Sequence, residues 1–185
     1  MQSILDNQGK YQVVGVVSDV ECPALDWARQ AAIPAELVEL ARGADPQVRE
    51  EWNERLAEVV DRLQPDVVVS AGFMKILGAP FLSRFGGRTI NTHPALLPAF
   101  PGAHAVRDAL AYGVKVTGST VHFVDAGVDT GPIIAQEPVA IMPGESESDL
   151  HERIKQVERK LIVNVLNSAT VAADNQGEVD FANHE

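Results

Sequence analysis

Two polar side chains with complementary chemistry lie two residues apart, at the end of the β-branched segment Arg88–Thr92. They are Asn91 and His93. Residues i and i+2 of a strand project from the same face, and Pro94 disfavours a helical conformation at His93, so the two groups are expected side by side. An amide can hydrogen-bond an oxyanion, and an imidazole can donate a proton near neutral pH. The pair predicts either a catalytic site or, as the structural alternative, a turn cap beside a space-filling histidine.

A third candidate is Asp129, in the glycine-flanked loop Gly127–Gly131. Glycines allow such a carboxylate to approach other loops closely. In contact with His93, it would favour the protonated imidazole and orient its proton. The alternative is a local Asx-turn, which is common for aspartate in such loops. The sequence separation between Asp129 and His93 does not decide between these interpretations.

Other titratable residues give weaker signals. His122 lies in an apolar strand segment and is expected to be a hydrogen-bonded core histidine, whereas His104 either lines the same cleft or lies on a surface loop. Glu158, beside the apolar stripe of the last helix, either accepts a hydrogen bond from an amine or faces solvent. No cluster of histidine, aspartate or glutamate has metal-ligand spacing, so no metal site is predicted.

Apolar strands that alternate with amphipathic helices predict an α/β domain with a mostly parallel sheet, in which ligands bind beyond the carboxyl ends of the strands. Residues 1–167 are expected to form this single domain, and residues 168–185 a polar, frayed tail. The predicted strands are Tyr11–Ser18, Ala35–Leu40, Asp66–Ser70, Arg88–Thr92, Thr117–Val124 and Ile133–Val139. The predicted helices are Ala24–Ala32, a helix from Pro46 to about Leu63, a short helix or two turns within Phe73–Phe85, Ala105–Tyr112 and Ser146–Asn167.

Composition restricts the partners and the compartment. The 185 residues include 15 Lys+Arg and 26 Asp+Glu, and the net charge of −11 argues against binding to nucleic acid or an anionic membrane. Cys22 is the only cysteine, which excludes an intrachain disulfide. No apolar run approaches the ~20 residues of a membrane span, and the N-terminus does not read as a signal peptide. We expect a cytoplasmic protein, a monomer or a homodimer, that acts on small molecules.

Four segments taken together carry a resemblance to a known family. They are N-T-H-P-A-L-L-P at 91–98, F-P-G-A-H at 100–104, T-V-H-F-V at 120–124 and V-D-T-G-P-I-I at 128–134. With them, the chain resembles the folate-dependent formyltransferases of purine biosynthesis that act on glycinamide ribonucleotide, from about Val13 to about Leu166. The resemblance implies a Rossmann-like formyltransferase fold.

The implied reaction moves a formyl group from 10-formyltetrahydrofolate, a co-substrate, to the amine of N1-(5-phospho-D-ribosyl)glycinamide. The amine attacks directly and forms a tetrahedral intermediate, without a metal. By resemblance, Asn91 and His93 polarise the formyl carbonyl and stabilise the oxyanion. Asp129 favours the protonated histidine and helps to move protons from the attacking amine to the leaving nitrogen.

The resemblance also assigns binding residues. On the substrate side, Glu158 matches a carboxylate that helps to bind the ribonucleotide's amine, and His104 is assigned to the same side. The residues assigned to the folate are Arg49, Met74, Lys75, Ile76, Leu77, Asn91 and Asp125.

The chain departs from the family pattern at its start. The family has a first strand and a loop of the type G-x-G-S-N-L-Q that holds the substrate phosphate, whereas here Gln2 matches the final glutamine of that loop. The first strand is usually central in such sheets, so its loss is expected to leave two unpaired strand edges. We therefore expect the native protein to start further upstream.

Three alternatives share part of the pattern. Formyltetrahydrofolate deformylase and methionyl-tRNA formyltransferase resemble the chain around Asn91, His93 and Asp129, but the first usually carries an added regulatory domain and the second a basic C-terminal domain. A non-catalytic folate- or nucleotide-binding module without a phosphate site is the third alternative. Such a module has no need for the three residues together.

Overall fold

Six helices and eight strands make up the part of the chain that the computed structural model describes, which is residues 1–41, 43–171 and 179–181. The helices are α1 (Gln2–Asp6), α2 (Pro23–Gln30), α3 (Pro46–Leu63), α4 (Ala79–Phe85), α5 (Ala105–Tyr112) and α6 (Glu147–Ser168). The strands are β1 (Val16–Ser18), β2 (Ala35–Leu37), β3 (Val68–Ser70), β4 (Thr89–His93), β5 (Val116–Phe123), β6 (Ile133–Ala140), β7 (Ala169–Val171) and β8 (Val179–Phe181). Among these described residues, no helix is both long and apolar enough to cross a membrane.

Capping residues fix the ends of the long helices. The carboxylate of Asp45 accepts a hydrogen bond from the N–H of Val48 at 2.9 Å, which starts α3. The hydroxyl of Ser146 accepts one from the N–H of Asp149 and starts α6. Gly113 ends α5 with a φ of 85°, a conformation that glycine adopts without strain. These helix boundaries confirm the predictions from the sequence.

The strands form two separate parallel pairs and an antiparallel extension. β1 pairs with β2 in parallel, and a four-stranded sheet has the order β3-β4-β5-β6. Parallel pairing continues from β3 to β4, but β5 is antiparallel to both β4 and β6. The prediction of an α/β domain is confirmed. Among the described strands, parallel pairing is confined to the pairs β1–β2 and β3–β4. The loop between β5 and β6 is short and can join only antiparallel neighbours.

A cleft of about 600 Å³ separates β1 from β3. Val16 and Val68 each donate a backbone N–H to the neighbouring strand or to the segment leading into it. Because successive N–H groups of a strand point in opposite directions, those of Val17 and Val69 point toward the cleft. Leu56, Val60 and Phe81 contribute to its lining. This arrangement agrees with the expectation of two open strand edges. It also explains why β1 and β3 are shorter than the predicted strands, since each has one neighbour over the described residues.

The four-stranded sheet is packed on both faces. On one face, α6 contributes Val165 and Leu166 to a cluster with Ile90 and Val121. On the other, α3 and α4 pack against each other through an apolar cluster that includes Trp52, Phe81 and Phe85. The indole N–H of Trp52 donates to the carbonyl of Val38, so this buried polar group is satisfied. Strand β4, which carries Asn91 and His93, is therefore held on both sides.

The described residues of the C-terminal segment form two short strands where the sequence predicts a frayed tail. α6 extends to Ser168, and β7 pairs with β8 in an antiparallel ladder rather than fraying. Val179 and Phe181 are buried in the same cluster as Val165, with the exposed Asp180 between them. A three-residue alternation is too short to stand out in a polar sequence, so burial decides this segment. The remainder of the predicted tail, 172–178 and 182–185, lies outside the described residues.

The segment before α4 also differs from the prediction. Within the predicted helical region Phe73–Phe85, only Ala79–Phe85 is an α-helix. The side-chain oxygen of Asn53 accepts a hydrogen bond from the N–H of Gly78 at 2.7 Å, which ties the residue before the helix to α3. Residues 72–78 consequently form a loop at the carboxyl end of β3.

Candidate active site

Strand β4 and its neighbour β5 place four polar side chains on one face of the sheet. In the antiparallel register, Asn91 lies opposite His122 and His93 lies opposite Thr120. Side chains directly opposite each other share a face, and so do those two residues apart on one strand. Asn91 and His93 therefore lie side by side, as the sequence spacing predicts.

Asp129 reaches this face from the loop between β5 and β6. Its Oδ2 atom lies 3.3 Å from Nδ1 of His93 and accepts a hydrogen bond of 2.7 Å from the N–H of Gly102. Its backbone has a φ of 54°, which is uncommon for a residue other than glycine. The side chains of His93 and Asp129 are 5% and 12% exposed, so water screens their interaction little. The contact predicted between these residues exists.

Both ring nitrogens of His93 face oxygen acceptors. Nδ1 faces the carboxylate of Asp129, and Nε2 lies 2.8 Å from the carbonyl oxygen of Phe100. The Nε2 contact is a hydrogen bond to a carbonyl, so Nε2 is the donor in it. The contact at Nδ1 becomes an ion pair with Asp129 whenever the ring is protonated.

The loop after His93 is fixed by polar contacts from β5 and β6. The hydroxyl of Thr120 donates to the carbonyl of Ala95 at 2.7 Å and accepts from the N–H of Leu97 at 3.1 Å. The side-chain amide of Gln136 donates to both the carbonyl of Leu97 and the hydroxyl of Thr120. Sequence reasoning missed Thr120 and Gln136, although a threonine opposite His93 becomes visible once the strand register is known.

His122 is buried at 2% exposure and hydrogen-bonded, as predicted. Its Nδ1 lies 2.8 Å from the carbonyl oxygen of Phe123, an acceptor, so Nδ1 carries a proton. Its Nε2 lies 3.5 Å from the side-chain nitrogen of Asn91 and 3.6 Å from Oδ1 of Asp129. The prediction from the sequence gave His122 a role in the core alone, but it also contacts two members of the candidate site, Asn91 and Asp129.

Glu158 lies on the other face of β4. The hydroxyl of Thr92, between Asn91 and His93 in sequence, donates a hydrogen bond to the carboxylate of Glu158. Burial raises the pKa of Glu158 above its usual value, and the bond from Thr92 offsets this in part. The structure therefore separates Glu158, by the thickness of a strand, from the group formed by Asn91, His93, His122 and Asp129, which we call the histidine cluster, while holding it near the same end of β4.

Five of the residues assigned to folate lie around Trp52, in two environments. Arg49, Met74, Lys75 and Ile76 line a cavity of about 260 Å³ beside Trp52. The side chains of Met74 and Ile76 are largely exposed there, at 75% and 70%. Leu77, by contrast, is buried in the cluster around Trp52 and does not line this cavity, so its apolar side chain supports the loop.

Two positive charges lie at this cavity. The Nζ atom of Lys75 is 3.7 Å from a carboxylate oxygen of Asp19, which links the loop after β3 to the loop after β1. The Nε atom of Arg49, an exposed residue, donates to the carbonyl of Ala44 at 2.9 Å. The cavity combines apolar surface with cations.

Among the described residues, neither Asp125 nor His104 hydrogen-bonds to the histidine cluster. The Oδ1 atom of Asp125 accepts hydrogen bonds from the N–H of Gly127 and the hydroxyl of Thr130, so it shapes the loop that presents Asp129. His104 is exposed at the start of α5, two residues after Gly102. Within the described ranges, no group of three or more metal-ligating side chains is close enough to hold an ion.

Comparison with known proteins identifies the family. Residues 1–166 match the formyl transferase family. The chain belongs to this family. It is 57% identical over 166 residues to phosphoribosylglycinamide formyltransferase of Mycobacterium tuberculosis (strain CDC 1551 / Oshkosh), which covers 88% of this chain and 76% of that protein. The enzyme of the same name from Escherichia coli (strain K12) is 38% identical, over 87% of this chain and 77% of its own length.

A solved relative confirms the fold of this formyl transferase. The crystal structure of glycinamide ribonucleotide transformylase 1 from Symbiobacterium toebii superposes with a TM-score of 0.84 at 36% identity, covering 97% of this chain and 87% of that one. The Rossmann-like formyltransferase fold predicted from the sequence is therefore confirmed. The resemblance to the folate-dependent formyltransferases, on which that prediction rested, is confirmed as well.

Proposed function

We propose that this formyl transferase moves a formyl group from 10-formyltetrahydrofolate to the primary amine of N1-(5-phospho-D-ribosyl)glycinamide. The single observation that carries the proposal is the contact of Asp129 with His93, beside the amide of Asn91. The two curated relatives described above bear the name of this activity. Their names favour it over deformylation or a non-catalytic role.

The reaction forms a bond from the amine nitrogen to the formyl carbon and breaks the bond from that carbon to N10 of the folate. In the tetrahedral intermediate, negative charge develops on the formyl oxygen. The Nε2 atom of His93, which lies 2.8 Å from the carbonyl oxygen of Phe100, is the donor we assign to this oxygen. The side-chain N–H of Asn91 is the second donor.

Proton balance assigns a role to Asp129. The attacking amine loses a proton and the leaving nitrogen gains one, so the net proton count of the protein is unchanged. The carboxylate of Asp129 stabilises the imidazolium form of His93 and orients its ring through Nδ1. Holding the two substrates and these groups together supplies the rest of the acceleration through proximity.

We assign the cavity around Trp52 to the folate. A reduced folate has a flat, largely apolar ring system and an acidic tail, which suit apolar side chains and two cations. Met74 and Ile76 provide exposed apolar surface, and Lys75 and Arg49 provide the cations. Leu77 and Asp125 keep their proposed assignment to this side, with the loop-supporting contacts described above.

Glu158 and His104 are proposed to contact the ribonucleotide. Glu158 is a half-buried carboxylate at the edge where β4 ends, and a carboxylate there can accept a hydrogen bond from an amine. His104 follows the Gly102 backbone that contacts Asp129, and its ring is exposed. On composition, we propose that the protein acts in the cytoplasm; a monomer or homodimer stays a prediction.

A formyl-transfer assay tests this function. The absorbance change of the folate is followed with the ribonucleotide present, and the formylated product is identified by mass. Asn91→Ala removes one oxyanion donor and is expected to lower kcat about 10²- to 10³-fold. The matched control is Gln47→Ala, which removes an exposed amide bonded to Glu51 on α3 and leaves turnover unchanged.

Three results would contradict the proposal. Folate binding without turnover would indicate a binding module, and formate release without any need for the ribonucleotide would indicate a deformylase. Full activity in Asn91→Ala would remove that amide from the mechanism.

A further inference from the structure

His122 faces the reacting groups through one nitrogen while the other is occupied. The residue is 2% exposed, lies in β5 and pairs with Asn91 across the sheet. The register of β5 with β6 shifts by one residue between Val121 and His122, so a β-bulge lies at this point. Bulges redirect a side chain locally and are frequent next to active sites.

The tautomer of His122 follows from its backbone contact. The carbonyl of Phe123 can only accept, so Nδ1 is a donor and, in the neutral ring, Nε2 has a free lone pair. The carboxylate of Asp129 is already paired with His93, and its Oδ1 atom lies 3.6 Å from Nε2 of His122, beyond hydrogen-bond distance. The hydrogen bond from Nδ1 to the carbonyl of Phe123 therefore leaves Nε2 as the acceptor that faces the side-chain nitrogen of Asn91.

This acceptor lies 3.5 Å from the side-chain nitrogen of Asn91. An amide can present either its oxygen or its nitrogen to a neighbour, and an acceptor selects the nitrogen. One of the two amide protons of Asn91 then points to His122, and the other remains for a substrate oxygen. Without the acceptor, the amide can rotate and present its oxygen, which would repel a developing oxyanion.

We propose that His122 is a positioning residue of the formyl-transfer site: it holds the side-chain amide of Asn91 with its nitrogen available to the formyl oxygen. This role rests on the proposed function. It is distinct from the roles given to Asn91, His93 and Asp129, since His122 acts through Asn91 and not on the substrate.

Two conservative variants separate the two nitrogens. His122→Gln places an amide end near the position of Nε2 and can supply an acceptor to Asn91. His122→Asn places its amide near Nδ1, so it keeps the bond to Phe123 and loses the contact with Asn91. We expect His122→Asn to lower kcat roughly 10- to 100-fold with KM for folate nearly unchanged, and His122→Gln to stay within about fivefold of wild type.

A double variant supplies the decisive comparison. If His122 acts through Asn91, then His122→Asn combined with Asn91→Ala is no slower than Asn91→Ala alone. A merely structural histidine would instead give equal losses in both conservative variants, additive with Asn91→Ala, and a fall in melting temperature that parallels the loss of activity. Either equal losses or additivity would overturn the proposal.

An NMR measurement distinguishes failure of this inference from failure of the proposed function. Long-range ¹H–¹⁵N spectra of the wild-type protein are expected to show Nδ1 of His122 protonated and Nε2 unprotonated. The Asn91 side-chain amide protons are expected to exchange more slowly in wild type and His122→Gln than in His122→Asn. A protonated Nε2 refutes the inference even if the enzyme is active, whereas an inactive wild-type enzyme with these signals refutes only the function.

Discussion

Replacing Asp129 by asparagine separates the charge of this residue from its geometry. Asparagine has almost the same shape and also tolerates the left-handed backbone conformation, here with φ of 54°. Its side-chain oxygen can still accept the hydrogen bond from the N–H of Gly102. We therefore expect Asp129→Asn to fold like wild type and to lose most of its activity.

The size of the effect follows from the distance between the charges. At 3.3 Å, a carboxylate and an imidazolium attract each other by about 5 kcal/mol at an effective dielectric constant of about 20. Both groups are mostly buried, so this value needs little reduction for solvent screening. If between half and all of it acts on the transition state, kcat falls roughly 10²- to 10⁴-fold, the range typical of general acid–base catalysis.

The assay compares kcat, KM and melting temperature of wild type, Asp129→Asn and a control. Glu137→Gln serves as the control because it removes one negative charge from an exposed position on the same β5–β6 hairpin. The control is expected to match wild type in all three measurements. An Asp129→Asn variant that keeps its melting temperature and turns over within about threefold of wild type would refute the electrostatic role of Asp129.

Two further predictions concern stability and local exchange. Because the pKa of Glu158 is raised in the folded protein, folding favours its protonated form, and wild type loses stability as pH rises through that pKa. Glu158→Gln should melt like wild type in acid and at increasingly higher temperature than wild type toward neutral pH, with lower turnover. The control Glu152→Gln, at an exposed position, should show no such trend. Equal melting curves at every pH would contradict the buried environment of Glu158. The amide protons of Val17 and Val69, which point into the cleft between β1 and β3, should exchange faster with solvent than those of the valine before each; equal protection would mean that the two edges are paired in solution.

Local sequence determined the elements that carry the site. Some residues act only on their near neighbours in the chain, so their effects can be predicted without a tertiary structure. Examples are the proline after His93, the aspartate and proline at the start of α3, and the glycine at the end of α5. The spacing of Asn91 and His93 on a strand likewise fixes their common face. The family motifs added the chemistry to be expected there.

Contacts between distant segments could not be predicted in this way. The approach of Asp129 to His93 depends on the path of a loop between β5 and β6, and the sequence left an Asx-turn equally open. The position of Glu158 behind β4 depends on how α6 packs on the sheet, and the second role of His122 depends on strand register and on a bulge. A shift of one residue in register would have turned His122 to the opposite face of the sheet.

The sequence by itself determined the long helices α3 and α6, the strand that presents the amide and the imidazole, and the family to which the chain belongs, because these depend on residues close together in the chain. Only the tertiary structure decided which carboxylate contacts the imidazole, and that β8 covers the core with Val179 and Phe181. The physical reason is that burial and charge pairing depend on distances in space, which the periodicity of a single segment does not contain.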